Sequence, residues 1–287
     1  GKRILSTKVF SLQNGLAGKL NSVISLKEVK LWDEFNPNLY TLRTELLAKN
    51  SKVIAQSSST FAFRTLGNDK GALTLNGKHV FLRGTLDCNI YPIQGHPPMD
   101  KAGWRKVFGV IKSYGLNHVR YHSWCPPEAA FQVADSLGLY LQVELPLWSL
   151  KVGEDKPTLN FLENEAQRIV SAYGNHPSFC FWSMGNELEG DYDWLNNLVL
   201  KLKKQDPRRF YTATTFSFQK GHGLAPEPND DFFITQYTKK GWIRGQGVFN
   251  SESPNFDRDY QKSADSIGVP LIAHEVGQYS VFPNLKE

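Results

Sequence analysis

The sequence predicts a two-part α/β protein. An all-β sandwich spans residues 1–66, and an eight-stranded (β/α) barrel spans 67–287, stopping after its seventh strand. Three observations predict this. Residues 1–66 alternate apolar and polar side chains at period two, with no helical stripe. From residue 67, short apolar strands alternate strictly with amphipathic helices. No Gly-rich phosphate turn follows the first of these strands, which favours a barrel over a dinucleotide-binding sheet.

Taken in order, "NLYTLRTELLAKN" puts Tyr40, Leu42, Thr44 and Leu46 on one strand face, and "TFAFRTL" does the same with Phe61 and Phe63. "KHVFLRGT" reads as the first barrel strand. Trp104, Val107, Phe108 and Ile111 then recur at helical spacing. "NHVRYH" is the second strand, and its helix, "PPEAAFQVADSLG", opens on proline, where a helix tolerates it. "LYLQVE" precedes a helix with Phe161, Leu162, Ala166, Ile169, Val170 and Tyr173 on one side. "SFCFWSMGNE" precedes another, marked by Trp194, Leu195, Leu198, Val199 and Leu202. "RFYTATTF", "DFFITQY" and "VPLIAHE" supply strands five to seven, and no eighth appears before Glu287.

Composition narrows the function classes. The chain has 287 residues, 40% hydrophobic and 21% charged, with a net charge of +5. No apolar run reaches membrane-span length, and no signal-peptide pattern opens the chain. The densest basic run, "KLKKQDPRR", closes a helix, where cations suit the dipole, so nucleic-acid binding is not expected. Cys88, Cys125 and Cys180 form neither a disulfide framework nor a zinc spacing. His118, His122 and Cys125 lie close in sequence, but two of them sit on a strand. No metal and no cofactor are expected.

In such barrels the chemistry sits at the C-terminal strand ends. If Val119 and Tyr121 face the helices, His118, Arg120 and His122 face inward. By the same alternation Gln142 and Glu144 face inward from strand three. Strand four ends on Asn186 and Glu187, strand six on Gln236 and Tyr237, and strand seven on His274 and Glu275. Two carboxylates at opposite strand ends suit glycosidic bond cleavage, where one donates a proton and the other attacks the anomeric carbon. A carboxyl separation of about 5–5.5 Å would give retention. Plainer readings stand beside these. Glu187 suits a helix first turn, Arg120 and Glu144 an internal ion pair, His122 a satisfied rim position, and Asp87 a turn. Trp124, Trp148 and Trp242 follow strands two, three and six, placed either to stack on sugar rings or to cap the barrel.

These motifs resemble glycoside hydrolase family two, the family of β-galactosidases, β-glucuronidases and β-mannosidases. "LWDEFNPNLYTL" and "FAFRTL" resemble the end of its immunoglobulin-like domain, and "LNGKHVFLRG" the entry into its TIM barrel. "WSMGNE" resembles its acid/base motif. The resemblance makes Glu187 the acid/base and Asn186 the ligand of the sugar 2-hydroxyl. "IAHEVG" resembles the nucleophile strand, which makes Glu275 the nucleophile, and "TQYTKKGW" the segment whose tyrosine, Tyr237, bonds it. Arg120, His122, Asp87, Glu144, Trp148 and Trp242 complete the expected sugar site. "TLDCNIYPIQGHPP" and "RYHSWCPP" depart from the family's usual runs, which leaves the sugar's identity open. The resemblance implies a carbohydrate substrate, a two-step retaining exo-glycosidase, and a longer parent of periplasmic or secreted origin. The rival reading is a non-catalytic carbohydrate-binding barrel. Oligomeric state is not legible.

Overall fold

The computed structural model describes residues 4–11, 21–244, 259–265 and 267–276. β1 (Tyr40–Leu47) and β2 (Val53–Phe61) form an antiparallel pair, with Tyr40 opposite Phe61. A two-stranded ribbon cannot bury a face by itself, so Leu42, Leu46 and Leu47 remain about 45% exposed. Among the described residues no second sheet packs on this pair, so the sandwich expected over residues 1–66 is present there as one hairpin. Tyr40, Phe61 and Phe63 form a ring cluster at its base, with centroids 5.3–5.9 Å apart. Trp32 is fully buried, and its indole N–H donates to the Asp135 carbonyl at 2.8 Å, which ties this segment to the barrel.

The texture expected from residue 67 onward begins later than the sequence suggests. β3 (Leu66–Asp69), β4 (Ala72–Leu75) and β5 (Lys78–His79) make an antiparallel meander. Asn76 and Gly77 both have positive φ, 54° and 76°, the geometry of a tight hairpin turn. That turn draws Lys78–His79 into the meander, so the first barrel strand is not "KHVFLRGT" but β6 (Gly84–Asp87). The meander carries Leu73 and Leu75 into a core with Trp32, Tyr140, Phe181, Phe232 and Ile234.

The parallel alternation then runs as expected. β6 is followed by α1 (Lys101–Ser113), β7 (His118–Tyr121), α2 (Glu128–Leu137), β8 (Tyr140–Glu144), α3 (Lys156–Tyr173), β9 (Phe179–Ser183), α4 (Tyr192–Gln205) and β10 (Phe210–Thr212). The five strands are parallel, in the order β10-β9-β8-β7-β6. β11 (Phe233–Thr235) follows, then the short antiparallel pair β12 (Tyr237–Thr238) and β13 (Gly241–Trp242), α5 (Gln261–Ala264) and β14 (Leu271–Ala273). β14 lies parallel to β11. Backbone bonds from Asp231 to Tyr211 (2.8 Å) and from Phe216 to Ile234 (3.0 Å) carry the curve from β10 to β11. All seven expected parallel strands are thus present. Residues 277–287, where the stop after strand seven falls, lie outside the described residues.

The helix sides bury the residues that the spacing selected. Trp104 and Phe108 of α1 pack with Val119, Tyr121, Leu141 and Val143. Asp100 caps α1 by accepting from the Gly103 N–H at 2.7 Å, and Asp191 caps α4 through Trp194 at 2.8 Å. Phe161, expected on the inner side of α3, is 51% exposed instead. The basic run at the end of α4 is pinned in place, with Arg208 and Arg209 both gripping Asp206 and Lys203 bound to Asp231 at 2.7 Å. Between β8 and β9 the register shifts by one residue at Cys180. That bulge lets Phe179 and Trp182 share the helix side while Phe181 points into the barrel, and so sets the phase in which the strand ends.

Candidate active site

Arg120 is the hub of the rim. It lies inward on β7 and is 7% exposed, as the alternation with Val119 and Tyr121 requires. Its Nε donates to Glu144 Oε1 at 2.6 Å, its Nη1 to Glu275 Oε1 at 3.2 Å, and its Nη2 to Thr215 Oγ1 at 3.0 Å and to Asn186 Oδ1. Glu144 is fully buried and also accepts from Ser123 Oγ at 2.7 Å and Gln142 Nε2 at 3.2 Å. The ion pair read as an alternative does form, and the same guanidinium also links β8 to the ends of β9 and β14. Burial works against the Arg120 charge, but Glu144 and Glu275 outweigh it and hold its pKa above the ordinary value.

β9 leads into a turn that only glycine can make at its start. Gly185 has φ 153°, and a Cβ there would meet the Leu147 carbonyl at 2.5 Å. The next residues are pinned by backbone bonds, Asn186 N–H to Leu147 and Glu187 N–H to Thr215, both at 3.0 Å. Asn186 Oδ1 accepts from Arg120 and from Thr215 Oγ1 at 2.9 Å, which leaves its amide N–H₂ for a ligand. Glu187 (φ 48°) and Glu275 (φ 51°) both adopt left-handed backbone. Non-glycine residues hold that conformation only where their surroundings impose it.

Those two turns bring the carboxylates together. One oxygen from each of Glu187 and Glu275, with a ring nitrogen of His274, lie within 4.8 Å of one another. His274 Nε2 stands 3.2 Å from Glu187 Oε1 and 3.5 Å from Glu275 Oε1. Arg244 Nη1 donates to the carbonyls of both His274 and Glu275, which fixes the end of β14. Burial tends to raise the Glu275 pKa, yet His274, Arg120 and His122 together hold its carboxyl below the ordinary range. Among the described residues this trio is also the group whose ligand atoms stand close enough to share a cation. Arg120 already supplies positive charge 3.2 Å from Glu275, and within the trio His274 hydrogen-bonds Glu187. His118, His122 and Cys125 form no such group among the described residues.

The remaining expected residues surround this centre unevenly. His122 Nδ1 lies 4.0 Å from Glu275 Oε1. Asp87 is occupied as turn chemistry, accepting from the Asn89 N–H and the Tyr91 hydroxyl, both at 2.8 Å. Trp124 packs on Tyr121 at 5.0 Å and donates to the Asp87 carbonyl, so it caps the barrel. Trp148 is 71% exposed and Trp242 is 48% exposed, with the Trp242 ring edge-on to Tyr237 at 5.1 Å. The Tyr237 ring also meets Phe216 at 5.6 Å, and its hydroxyl bonds no carboxylate among the described residues. Ser123, Thr215 and Arg244 belong to the site without having been singled out, and so does His274, expected only as a polar end of strand seven. Of these, only His274, beside Glu275 in "IAHEVG", carried a usable signal. A cleft of about 550 Å³ at the Leu31–Asn38 segment and β4–β5 contains none of the site residues.

Comparison with known proteins follows from this geometry. Residues 68–220 match the model of the glycosyl hydrolases family 2 TIM barrel domain, and residues 3–64 match that of glycosyl hydrolases family 2. A putative beta-glucuronidase of Formosa agariphila is 36% identical over 266 residues, covering 87% of this chain and 31% of the relative. Beta-galactosidase 2 of Enterobacter cloacae is 28% identical over 197 residues, 67% of this chain and 19% of the relative. The chain therefore spans less than a third of the length of these relatives. Among solved structures, apo Bacteroides uniformis beta-glucuronidase 3 superposes with a TM-score of 0.59 at 27% identity, covering 66% of this chain and 25% of that one. A Bifidobacterium dentium beta-glucuronidase shares the fold with a TM-score of 0.67 at 21% identity, over 79% of this chain and 38% of that one. With family models matching both parts of the chain and a relative 36% identical across 87% of it, the protein belongs to glycosyl hydrolases family 2.

Proposed function

We propose that the chain carries the catalytic centre of a retaining β-glycosidase, in a barrel over residues 67–287 preceded by an immunoglobulin-like domain over 1–66. The observation that carries this reading is the approach of Glu187 and Glu275 oxygens to within 4.8 Å. That approach favours the shorter carboxyl separation of retaining enzymes, about 5–5.5 Å, over the roughly 6.5–9.5 Å that leaves room for an inverting enzyme's water. In the first step a Glu275 oxygen bonds to the anomeric carbon as the glycosidic C–O bond breaks. The Glu187 proton goes to the departing oxygen. In the second step water attacks the anomeric carbon, gives its proton to Glu187, and releases Glu275.

The neighbours support these roles. Arg120 keeps Glu275 ionised, as a nucleophile requires, and His274 Nε2 stands 3.5 Å from the same oxygen. The free amide of Asn186 is placed to donate to the sugar 2-hydroxyl, and the exposed rings of Trp148 and Trp242 offer faces for stacking. The names of the relatives, beta-glucuronidase and beta-galactosidase, favour β-glucuronides and β-galactosides as substrates, and the family resemblance adds β-mannosides.

Covalent labelling with 2-fluoro glucuronyl, galactosyl and mannosyl probes tests the reading. An adduct on the peptide bearing Glu275 is expected with one of them. Sugar binding without any adduct would instead favour a carbohydrate-binding barrel.

A further inference from the structure

His274 is a histidine with no exposed side-chain surface, set between the two reacting carboxylates. Every contact around it restricts what it can do. Its backbone N–H donates to the Thr235 carbonyl on β11 at 2.9 Å, and its carbonyl accepts from Arg244. The Phe216 ring stacks on the imidazole at 5.7 Å and 27°, fixing its plane. Nε2 is directed at Glu187 Oε1 (3.2 Å) and Glu275 Oε1 (3.5 Å), while Nδ1 is buried with no hydrogen-bond partner among the described residues.

These contacts decide the tautomer. Ionised Glu275 can only accept, and so can the unprotonated oxygen of Glu187, here Oε1 with the acid proton on Oε2, so the imidazole proton belongs on Nε2. A second proton on Nδ1 would be a buried donor without an acceptor, which is costly. Burial, the largest influence, pushes the imidazole pKa down against the pull of the Glu187 hydrogen bond, and Arg120 adds to that push. His274 is therefore a neutral imidazole with one donor, which bonds Glu187 Oε1 at 3.2 Å and stands 3.5 Å from Glu275 Oε1. Among the described residues, the other charged or titratable groups facing it and its partners are Arg120 and Glu144 from β7 and β8, His122 and Cys88 at the rim, and Arg244 beyond β13.

We propose that His274 is the positioning residue of the carboxylate pair, a single fixed N–H that follows the negative charge from Glu275 to Glu187 and back through each turnover. This rests on the glycosidase reading. Before reaction the charge lies on Glu275. When Glu275 bonds to the anomeric carbon and Glu187 gives its proton to the leaving oxygen, the charge lies on Glu187. When water's proton returns to Glu187 and the glycosyl–Glu275 bond breaks, the charge is back on Glu275. Because the donor already lies within 3.5 Å of both oxygens, only a small tilt of one N–H is needed as the charge moves.

The test is made on the full chain. Imidazole ¹⁵N spectra are expected to show His274 neutral, protonated at Nε2 and bare at Nδ1, through neutral pH. In His274→Phe, which keeps a ring against Phe216, the Glu275 carboxyl titration, read by ¹³C and assigned with Glu275→Gln, is expected to shift upward. The acid limb of kcat/KM on an aryl glycoside should shift with it, and kcat should fall about tenfold to a hundredfold, the effect of losing one hydrogen bond to a charged group. His274→Gln, whose amide still offers an N–H, should shift the titration less than His274→Phe. A bare Nε2 in the wild type would overturn the proposal, as would a Glu275 titration identical in wild type and a folded His274→Phe. These spectra need no substrate, so they fail independently of the glycosidase reading. The absence of any fluorosugar adduct on the wild type would overturn that reading, and with it the charge-following step.

Discussion

Arg120 Nη1 donates to Glu275 Oε1 at 3.2 Å across the barrel mouth while its Nε holds the buried Glu144 at 2.6 Å. One guanidinium thus fixes the ends of β7, β8 and β14 together. The planar fork does this, because five donors at set angles can serve several acceptors at once.

Removing that fork should cost stability before it costs chemistry. Arg120→Ala strands Glu144, which is fully buried, and is expected to lower unfolding free energy by about 3–5 kcal/mol in urea titrations. Arg120→Met combined with Glu144→Leu should recover most of that loss yet remain impaired in turnover, because Glu275 and Asn186 lose their donor. Equal instability of single and double variants would show that the buried charge is not the cause.

Glu275→Gln should abolish covalent labelling by every fluorosugar, because an amide cannot attack the anomeric carbon. An adduct forming on that variant at the wild-type rate would reassign the nucleophile.

Glu187→Ala should retain residual activity on aryl glycosides while alkyl glycosides stall. Good leaving groups depart without protonation, so the first step survives. Azide, standing in for the activated water, should restore turnover. Parallel loss on both substrate types, with no azide effect, would remove Glu187 from the acid/base role.

Asp206 predicts a pH-dependent stability far from the site. Burial tends to raise its pKa, but Arg208 and Arg209 outweigh it and bring its carboxyl down to about 2. A depressed carboxylate stabilises the fold above its unfolded pKa and loses that contribution as pH falls through the folded value. Asp206→Asn is therefore expected to cost about 2 kcal/mol at neutral pH. The gap to wild type should close between about pH 4 and pH 2. Thermal melts across that range measure it, and a gap independent of pH would point to packing as the cause.

The sequence by itself determined the barrel strands, because period-two alternation and helical stripes record which face meets apolar surface. It also determined the inward set on β7 and β8, with Arg120 and Glu144 opposite Val119 and Leu141, since alternation leaves no choice. The polar strand ends at Asn186, Glu187 and Glu275 followed from where the apolar runs stop. Tertiary structure decided the rest. The pairing of Lys78–His79 with β4 across the Asn76–Gly77 turn moved the first barrel strand to Gly84–Asp87, a contact that apolar periodicity does not record. Asp87 went to a local turn with Tyr91, and Trp124 went to a cap contact whose partner, the Asp87 carbonyl, comes within reach only once β6 and β7 pair. Thr215 and Arg244 reached the site from irregular segments, where no period predicts direction. His274 lay in plain view beside Glu275, but its role needs Glu187, 3.2 Å away and on another strand's end. Sequence records which faces are buried, whereas the meeting of side chains from distant strands depends on how the sheet curves to bring their ends together.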